Sequence, residues 1–225
     1  MDNFVFEGIF FFIVTVSLFF VSQIMMRELY AFLLLFTQNK HIIFWFFALV
    51  FLPGTVLHEV SHFIVAVILF LPVGEVRIMP EWHHNQMRFG SVTYGKSDVV
   101  RPILVGVAPF FGALFVYWFI GAFRLFPSEY MIINMIMGYF LFTVSATMFS
   151  SSQDLREVIY IIPLLMIAGI TAYITNIRIR VDFPQIWMEQ AVSILQIINI
   201  YITINIVIHL FCILLFKSLR LQYKK

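Results

Sequence analysis

The chain has 225 residues, of which 62% are hydrophobic and 12% are charged, and its mean hydropathy is +0.97. A soluble domain of this size cannot bury so much apolar surface, so the composition predicts an all-α polytopic membrane protein with one integral membrane domain over residues 1–225. The net charge of +2 is too small to favour nucleic-acid binding. The single cysteine, Cys212, excludes an intramolecular disulfide and a cysteine-rich metal site.

Apolar stretches long enough to cross a bilayer recur along the chain. They predict about six transmembrane helices, at residues 4–22, 42–71, 102–123, 130–149, 158–175 and 187–216. The first stretch has almost no positive residues before it and no small-residue cleavage site, so we expect a retained helix rather than a cleaved signal peptide. Six spans place both termini on one side. Nine of the fourteen Lys and Arg lie on that side, which favours a multi-pass protein of the cell membrane with cytoplasmic termini.

The second apolar stretch is interrupted by Pro53-Gly54. Proline disfavours a helical conformation at the residue before it, and glycine permits a bend. Thr55 follows directly, and its hydroxyl is suited to cap a new helix. The sequence therefore predicts a break within the second span, with an ordinary kink in a packed helix as the alternative.

The helix after this break carries the pattern His-Glu-x-x-His, as His58, Glu59 and His62. Positions four apart lie on the same face of a helix, so the two imidazoles point the same way and form two corners of a tetrahedral zinc site. Glu59 can act as the general base that takes a proton from water at the metal. Three ionisable groups lie within five residues of an apolar segment, and each is costly there unless it has a partner or a function. This favours a metal site over a structural histidine.

Residues 72–101 form the longest polar stretch of the chain. Two strand-like runs, 75–79 and 87–94, surround a turn at 81–86, which predicts a small membrane-associated β-hairpin after the His-Glu-x-x-His helix. A surface loop is the alternative. The exposed edge of a hairpin could pair with an extended peptide, which is one way to present a substrate backbone.

A carboxylate returns to the membrane surface after the fourth span, at Asp154. On the predicted topology it emerges on the same side as the histidine-bearing half of the second span, so it is the preferred third metal ligand. A structural role at the start of the next helix is the alternative for this residue. Glu157 or Glu189 could also complete a site of two histidines and one carboxylate. His209, alone in the last span, is expected to be hydrogen-bonded structure.

These residues together resemble the site-2-protease family of intramembrane zinc metalloproteases. The resemblance covers residues 52–157: LHEVSH at 57–62, a polar hairpin-like stretch with Gly90, a further span, and Asp154. It implies that His58, His62 and Asp154 bind one zinc ion and that Glu59 activates water. The chain departs from the family at Ser61, where a glycine is usual, and around Asp154, which lacks the usual preceding prolines and following glycine.

The sequence thus predicts an intramembrane zinc metalloendopeptidase with its core in residues 42–175. Its substrate would be a transmembrane or membrane-bound protein within the lipid bilayer. The alternative is a non-proteolytic membrane scaffold, transporter subunit or pseudo-enzyme that retains the motif. Against a transporter, the chain shows no inverted repeat and only one interrupted helix.

Overall fold

The computed structural model of the chain describes residues 2–77, 81–83, 86–88, 91–95, 100–149, 171 and 184–223. These residues form six helices and four short strands, in the order α1 (Asp2–Leu33), α2 (Lys40–Val50), α3 (Leu52–Ile68), β1 (Val73–Arg77), β2 (Glu81–His83), β3 (Gln86–Arg88), β4 (Ser91–Tyr94), α4 (Val100–Ala122), α5 (Met131–Thr147) and α6 (Gln185–Tyr223). The predicted span at 158–175, apart from Thr171, and the candidate ligands Asp154 and Glu157 lie outside the described residues.

Three of the described helices are long and apolar enough to cross a membrane: Asn3–Leu33, Val100–Ala122 and Gln185–Tyr223. α2 and α3 pass the same test together, as a pair bent by 72°, and α5 is apolar but shorter. The described residues therefore fit the predicted class of helical membrane protein. They contain three such helices, or four if the bent pair counts as one span.

α1 and α6 pack along each other in the same direction. Early in α1, the Glu7 carboxylate accepts hydrogen bonds from two residues in the first half of α6, from Asn199 Nδ2 at 2.8 Å and from Gln196 Nε2 at 3.1 Å. Near the C-terminal ends of both helices, Glu28 forms an ion pair with Arg220 at 3.1 Å. Since the residue numbers rise in the same direction along both helices, the two helices are parallel.

The polar contacts of this pair lie at either end of an apolar stretch. Residues 8–26 of α1 contain no Asp, Glu, Lys or Arg. At 1.5 Å per residue they extend about 28 Å, close to the thickness of about 30 Å that the hydrocarbon core of a bilayer has. The first and last of six consecutive spans would be antiparallel. The parallel direction of α1 and α6 therefore differs from the predicted topology.

α4 packs against α6 in the opposite direction. The rings of Tyr117 and Tyr201 stack with their centroids 6.4 Å apart. One turn later on α4, Gly121 lies against Ile197, which is one turn earlier on α6. The hydrophobic core formed here joins α1, α4, α5 and α6, and its fully buried members include Leu18, Tyr117, Leu141 and Ile202.

The break in the second apolar stretch lies at Phe51, between α2 and α3. Pro53 occupies the first turn of α3, where its missing N–H removes no intrahelical hydrogen bond. α3 can therefore begin at Leu52, ahead of Thr55. The prediction that Thr55 caps the helix is wrong, because Thr55 lies inside α3 and its Oγ1 donates to the Phe51 carbonyl at 3.0 Å.

A small antiparallel β segment follows α3. β1 pairs with β4, and β2 pairs with β3. β1 begins and ends two residues earlier than the predicted strand at 75–79. The predicted turn at 81–86 is partly strand, because residues 81–83 pair with residues 86–88. Both outer strands contact α3, which places this segment beside the helix that carries the two histidines.

α3 and α4 approach each other closely at a glycine. A Cβ atom at Gly112 would overlap Ser61 Oγ, and that hydroxyl donates to the Leu57 carbonyl at 2.7 Å. Beyond the end of α3, Leu71 packs with Val105, near the start of α4, so the two helices are antiparallel. The close approach of α3 and α4 thus places a serine on one helix against a glycine on the other.

We expect Gly112→Ala to destabilise the protein by about 1–3 kcal/mol, because overpacking a fitted interface forces side chains and backbone to shift. Ser61→Gly in the same chain should recover much of this loss, since it removes the atoms that a Cβ at position 112 would meet. Unfolding in detergent micelles measures both variants in a double-mutant cycle.

Gly138→Ala is the matched control for this cycle, because nothing lies within 4 Å of a Cβ atom at Gly138. Its free energy of unfolding should not fall. If Gly112→Ala costs the same with and without Ser61→Gly, the contact between these two positions is not the source of the loss.

Candidate metal centre

α3 brings His58 and His62 together on one face. Their Nε2 atoms are 3.2 Å apart, and their ring planes are inclined by 81°. Both side chains are buried, with 5% of His58 and 7% of His62 exposed. The two ring nitrogens therefore converge on one point inside the protein.

The separation of these nitrogens fits two ligands of one tetrahedral zinc ion. Zinc binds imidazole nitrogen at about 2.0–2.1 Å, so two ligands at a tetrahedral angle lie about 3.3 Å apart. The observed separation is 3.2 Å. Without metal, the same distance allows one imidazole to donate its N–H to the other. Metal binding then has to displace that proton.

The backbone of α4 fixes the orientation of the His62 ring. His62 Nδ1 lies 2.8 Å from the Val105 carbonyl oxygen. A carbonyl can only accept, so Nδ1 carries the proton and Nε2 keeps its lone pair. The Val105 carbonyl is available because the residue four positions later is Pro109, inside α4, which has no N–H to donate. A proline in α4 thus sets the tautomer of a histidine in α3.

Glu59 lies directly after His58 in α3 and is 5% exposed. A carboxyl group at this depth in an apolar helix is costly unless it is held by a partner or serves a function. Its place in the His-Glu-x-x-His pattern is the one from which a glutamate can accept a proton from a metal-bound water molecule. The pattern therefore buries three ionisable side chains within five residues of α3.

The described residues contain no group of three or more His, Cys, Asp or Glu able to hold a metal ion. Asp154 and Glu157 lie outside them. Glu189 is described, and it is exposed just after the first turn of α6, where it accepts a hydrogen bond from Gln185 Nε2 at 2.9 Å. Glu189 thus belongs to no group of candidate ligands within the described residues.

The last turn of α5 lies against the first turn of α3. A Cβ atom at Gly54 would overlap the Thr143 carbonyl and Thr147 Oγ1, so the two helices are in close backbone contact here. Gly54 precedes His58 by four residues, which is about one helical turn. The chain therefore leaves α5, towards residue 154, beside the turn that leads to the histidines.

His209 belongs to a separate polar cluster between α5 and α6. Its Nε2 lies 2.9 Å from Ser145 Oγ, and the same hydroxyl lies 3.1 Å from Asn205 Oδ1. All three side chains are fully buried. The prediction that His209 is hydrogen-bonded structure is confirmed within the described residues.

Three residues beside the histidines, Val105, Pro109 and Thr147, were not predicted from the sequence to contribute to the site. The first two had a readable signal, because a proline inside a helix always frees the carbonyl four residues before it. Which group donates a hydrogen bond to that carbonyl depends on which helix packs alongside, and this is a feature of the tertiary structure. Thr147 carried no signal of its own, since threonine is common in apolar helices.

Pro109→Ala should weaken zinc binding about 10- to 100-fold, the usual cost of losing a partner that orients a metal-binding histidine. The new N–H at position 109 would compete with His62 for the Val105 carbonyl. The helix itself should not lose stability, since an interior proline costs about 3 kcal/mol. Competition with a chromophoric chelator measures the affinity in detergent-solubilised protein.

Pro102→Ala is the matched control, because Pro102 lies in the first turn of α4, where an N–H has no intrahelical partner. Its zinc affinity should equal that of the unmodified chain. An unchanged affinity in Pro109→Ala would show that the freed carbonyl does not tune the site.

The geometry of this site stands on the chain's own residues. No protein-family model, no curated protein and no solved structure matches the chain. The resemblance to the site-2-protease family thus stays a prediction, carried by residues 57–62 and Asp154.

Proposed function

We propose that this protein is an intramembrane zinc metalloendopeptidase, which cleaves membrane-embedded or membrane-proximal peptide bonds. The observation that carries the proposal is the pair of buried Nε2 atoms 3.2 Å apart, with the His62 ring oriented by the Val105 carbonyl. A buried glutamate adjoins this pair in an apolar helix. Two imidazoles, an orienting acceptor and a buried carboxylate are the protein groups that a hydrolytic zinc site needs.

His58 and His62 would hold the zinc ion through Nε2. When bound, zinc lowers the pKa of a water molecule and polarises the scissile carbonyl group. Glu59 takes the proton of the attacking water and passes it to the leaving amine. The burial of all three residues excludes bulk water and strengthens their electrostatic interactions.

Asp154 is the proposed third ligand. Its support is the contact of Thr147 with Gly54, which brings the end of α5 to the first turn of α3. Phe149 is the last described residue of this segment, and Asp154 follows five residues later. Five residues reach at most about 17 Å, which is ample from a point next to α3. Glu157 is the other carboxylate close to this position in the sequence.

The substrate is proposed to be a transmembrane or membrane-bound protein whose backbone is unwound around the scissile bond. A peptide bond inside a helix is shielded by its own hydrogen bonds, so only an extended segment exposes it. The β1–β4 pair contacts α3 and has two strands, so each strand has an outer edge that can pair with an extended peptide.

Glu59→Gln should abolish cleavage while zinc stays bound, because the amide keeps the size of the side chain but cannot take a proton. We expect a rate loss of about 10²- to 10⁴-fold, the usual contribution of a general base. The readouts are cleavage of a membrane-anchored reporter that the unmodified chain cuts, and zinc content by mass spectrometry. Glu189→Gln, at an exposed glutamate on α6, is the matched control and should cleave normally.

Normal cleavage by Glu59→Gln would contradict the mechanism. A gently purified unmodified chain without stoichiometric zinc would instead favour the non-proteolytic alternative, a scaffold or pseudo-enzyme that retains the motif.

Asp154→Ala should lose zinc, and Glu157→Ala should keep it, because a zinc site with two protein ligands binds far more weakly than one with three. Metal content of the two variants, purified side by side, separates the two carboxylates. Retained zinc in Asp154→Ala together with loss in Glu157→Ala would move the third ligand to residue 157.

A further inference from the structure

We infer that α2 and α3 form a re-entrant pair, which enters and leaves the bilayer at its cytoplasmic face, and that the N-terminus lies on the opposite face. This rests on the proposed function only in its last step, where it names the substrate: a membrane protein cut in the cytoplasmic half of the bilayer. We call the face at which α1 ends the C-terminal face, because the C-terminal end of α6 lies there too.

Helix direction is the first support. α1 is parallel to α6, as the contacts of Glu7 and Glu28 show, and α4 is antiparallel to α6, as the contacts of Tyr117 and Gly121 show. α1 therefore ends, and α4 begins, at the same face. The part of the chain between α1 and α4, which contains α2 and α3, therefore starts and finishes at the C-terminal face.

The course of α2 and α3 agrees with this. α2 begins soon after α1 and returns along it, with the rings of Phe47 and Tyr30 6.4 Å apart and Phe51 packed in one cluster with Met25. The 72° bend then turns the chain. α3 leads to Leu71, which packs against Val105 near the start of α4. The pair goes inward along one helix and returns at the start of another.

The distribution of positive charge gives an independent support. Of the eight Lys and Arg that the structure describes, Arg124 alone lies in the turn at the opposite face. Six of the others lie at or near the C-terminal face: Arg27, Lys40, Arg77, Arg101, Lys217 and Arg220. The eighth, Arg88, belongs to β3, in the segment between β1 and β4. Lys and Arg accumulate on the cytoplasmic side of membrane proteins, so the C-terminal face is the cytoplasmic one. If the segment at 42–71 crossed the bilayer, Arg27 and Lys40 would lie on the face opposite to Arg77 and Arg101, and the positive charges would be separated less clearly.

The depth of the histidine pair follows from its contact with α4. Val105, which accepts from His62 Nδ1, lies four residues after Arg101. Four helical residues extend about 6 Å along the axis. The site is therefore about one turn below the charged face. It serves peptide bonds near the cytoplasmic surface, and the β1–β4 pair beside α3 lies on the same side.

Cysteine accessibility tests the topology without any need for zinc or cleavage. In a Cys212→Ser background, single cysteines replace four exposed residues: Asn3, Gln38, Glu75 and Gln222. A membrane-impermeant maleimide is applied to intact cells, and then to permeabilised cells. Asn3→Cys should react in intact cells, and the other three only after permeabilisation.

Two comparisons decide the outcome. Gln38→Cys and Glu75→Cys bracket the α2–α3 pair, and reaction from opposite sides would make the pair a full span and overturn the inference. Asn3→Cys and Gln222→Cys report the two termini, and reaction from the same side would overturn it as well. Arg77→Cys, on the same strand as Glu75, is the second probe if Glu75→Cys does not accumulate. A dead protease with this labelling pattern would defeat the proposed function but leave the topology intact.

Discussion

The hydrogen bond from His62 to the Val105 carbonyl is the constraint on which the site depends. It needs a helix carbonyl that accepts no intrahelical hydrogen bond, and the Val105 carbonyl is free of one because Pro109 has no N–H. It also needs α3 and α4 to lie close together, and Gly112 permits that approach to Ser61. Two residues that lower the intrinsic stability of a helix thus hold one imidazole in the tautomer that a metal requires.

The convergence of His58 and His62 could be predicted from the sequence, because positions four apart lie on the same face of one helix. The class of helical membrane protein could also be predicted, because it follows from the high apolar content of the chain. The start of α3 was predicted too late in the chain, because the preference of threonine for the N-cap position takes no account of the residues before it. In the structure Pro53 already fills the first turn, and Thr55 donates to the Phe51 carbonyl instead of capping a helix.

Hydropathy does not predict the direction in which each helix runs relative to the others. An apolar stretch has the same composition whether it crosses the bilayer or turns back within it, so hydropathy does not distinguish these two courses for the segment at 42–71. The direction was set by long-range polar pairs, such as Glu7 with Asn199 and Glu28 with Arg220, whose partners lie 192 residues apart in both cases. No local pattern contains that information.

The pairing of α1 with α6 also bears on how the molecule is made. α1 is synthesised before α6, with all the other described elements between them, and the two helices form the most extensive helix contact among the described residues. Until α6 enters the bilayer, neither Glu7 nor Glu28 has its α6 partner, and contacts over such separations form late in folding. The helix with the histidine pair is thus synthesised well before the bundle around it can form, because that bundle needs α6.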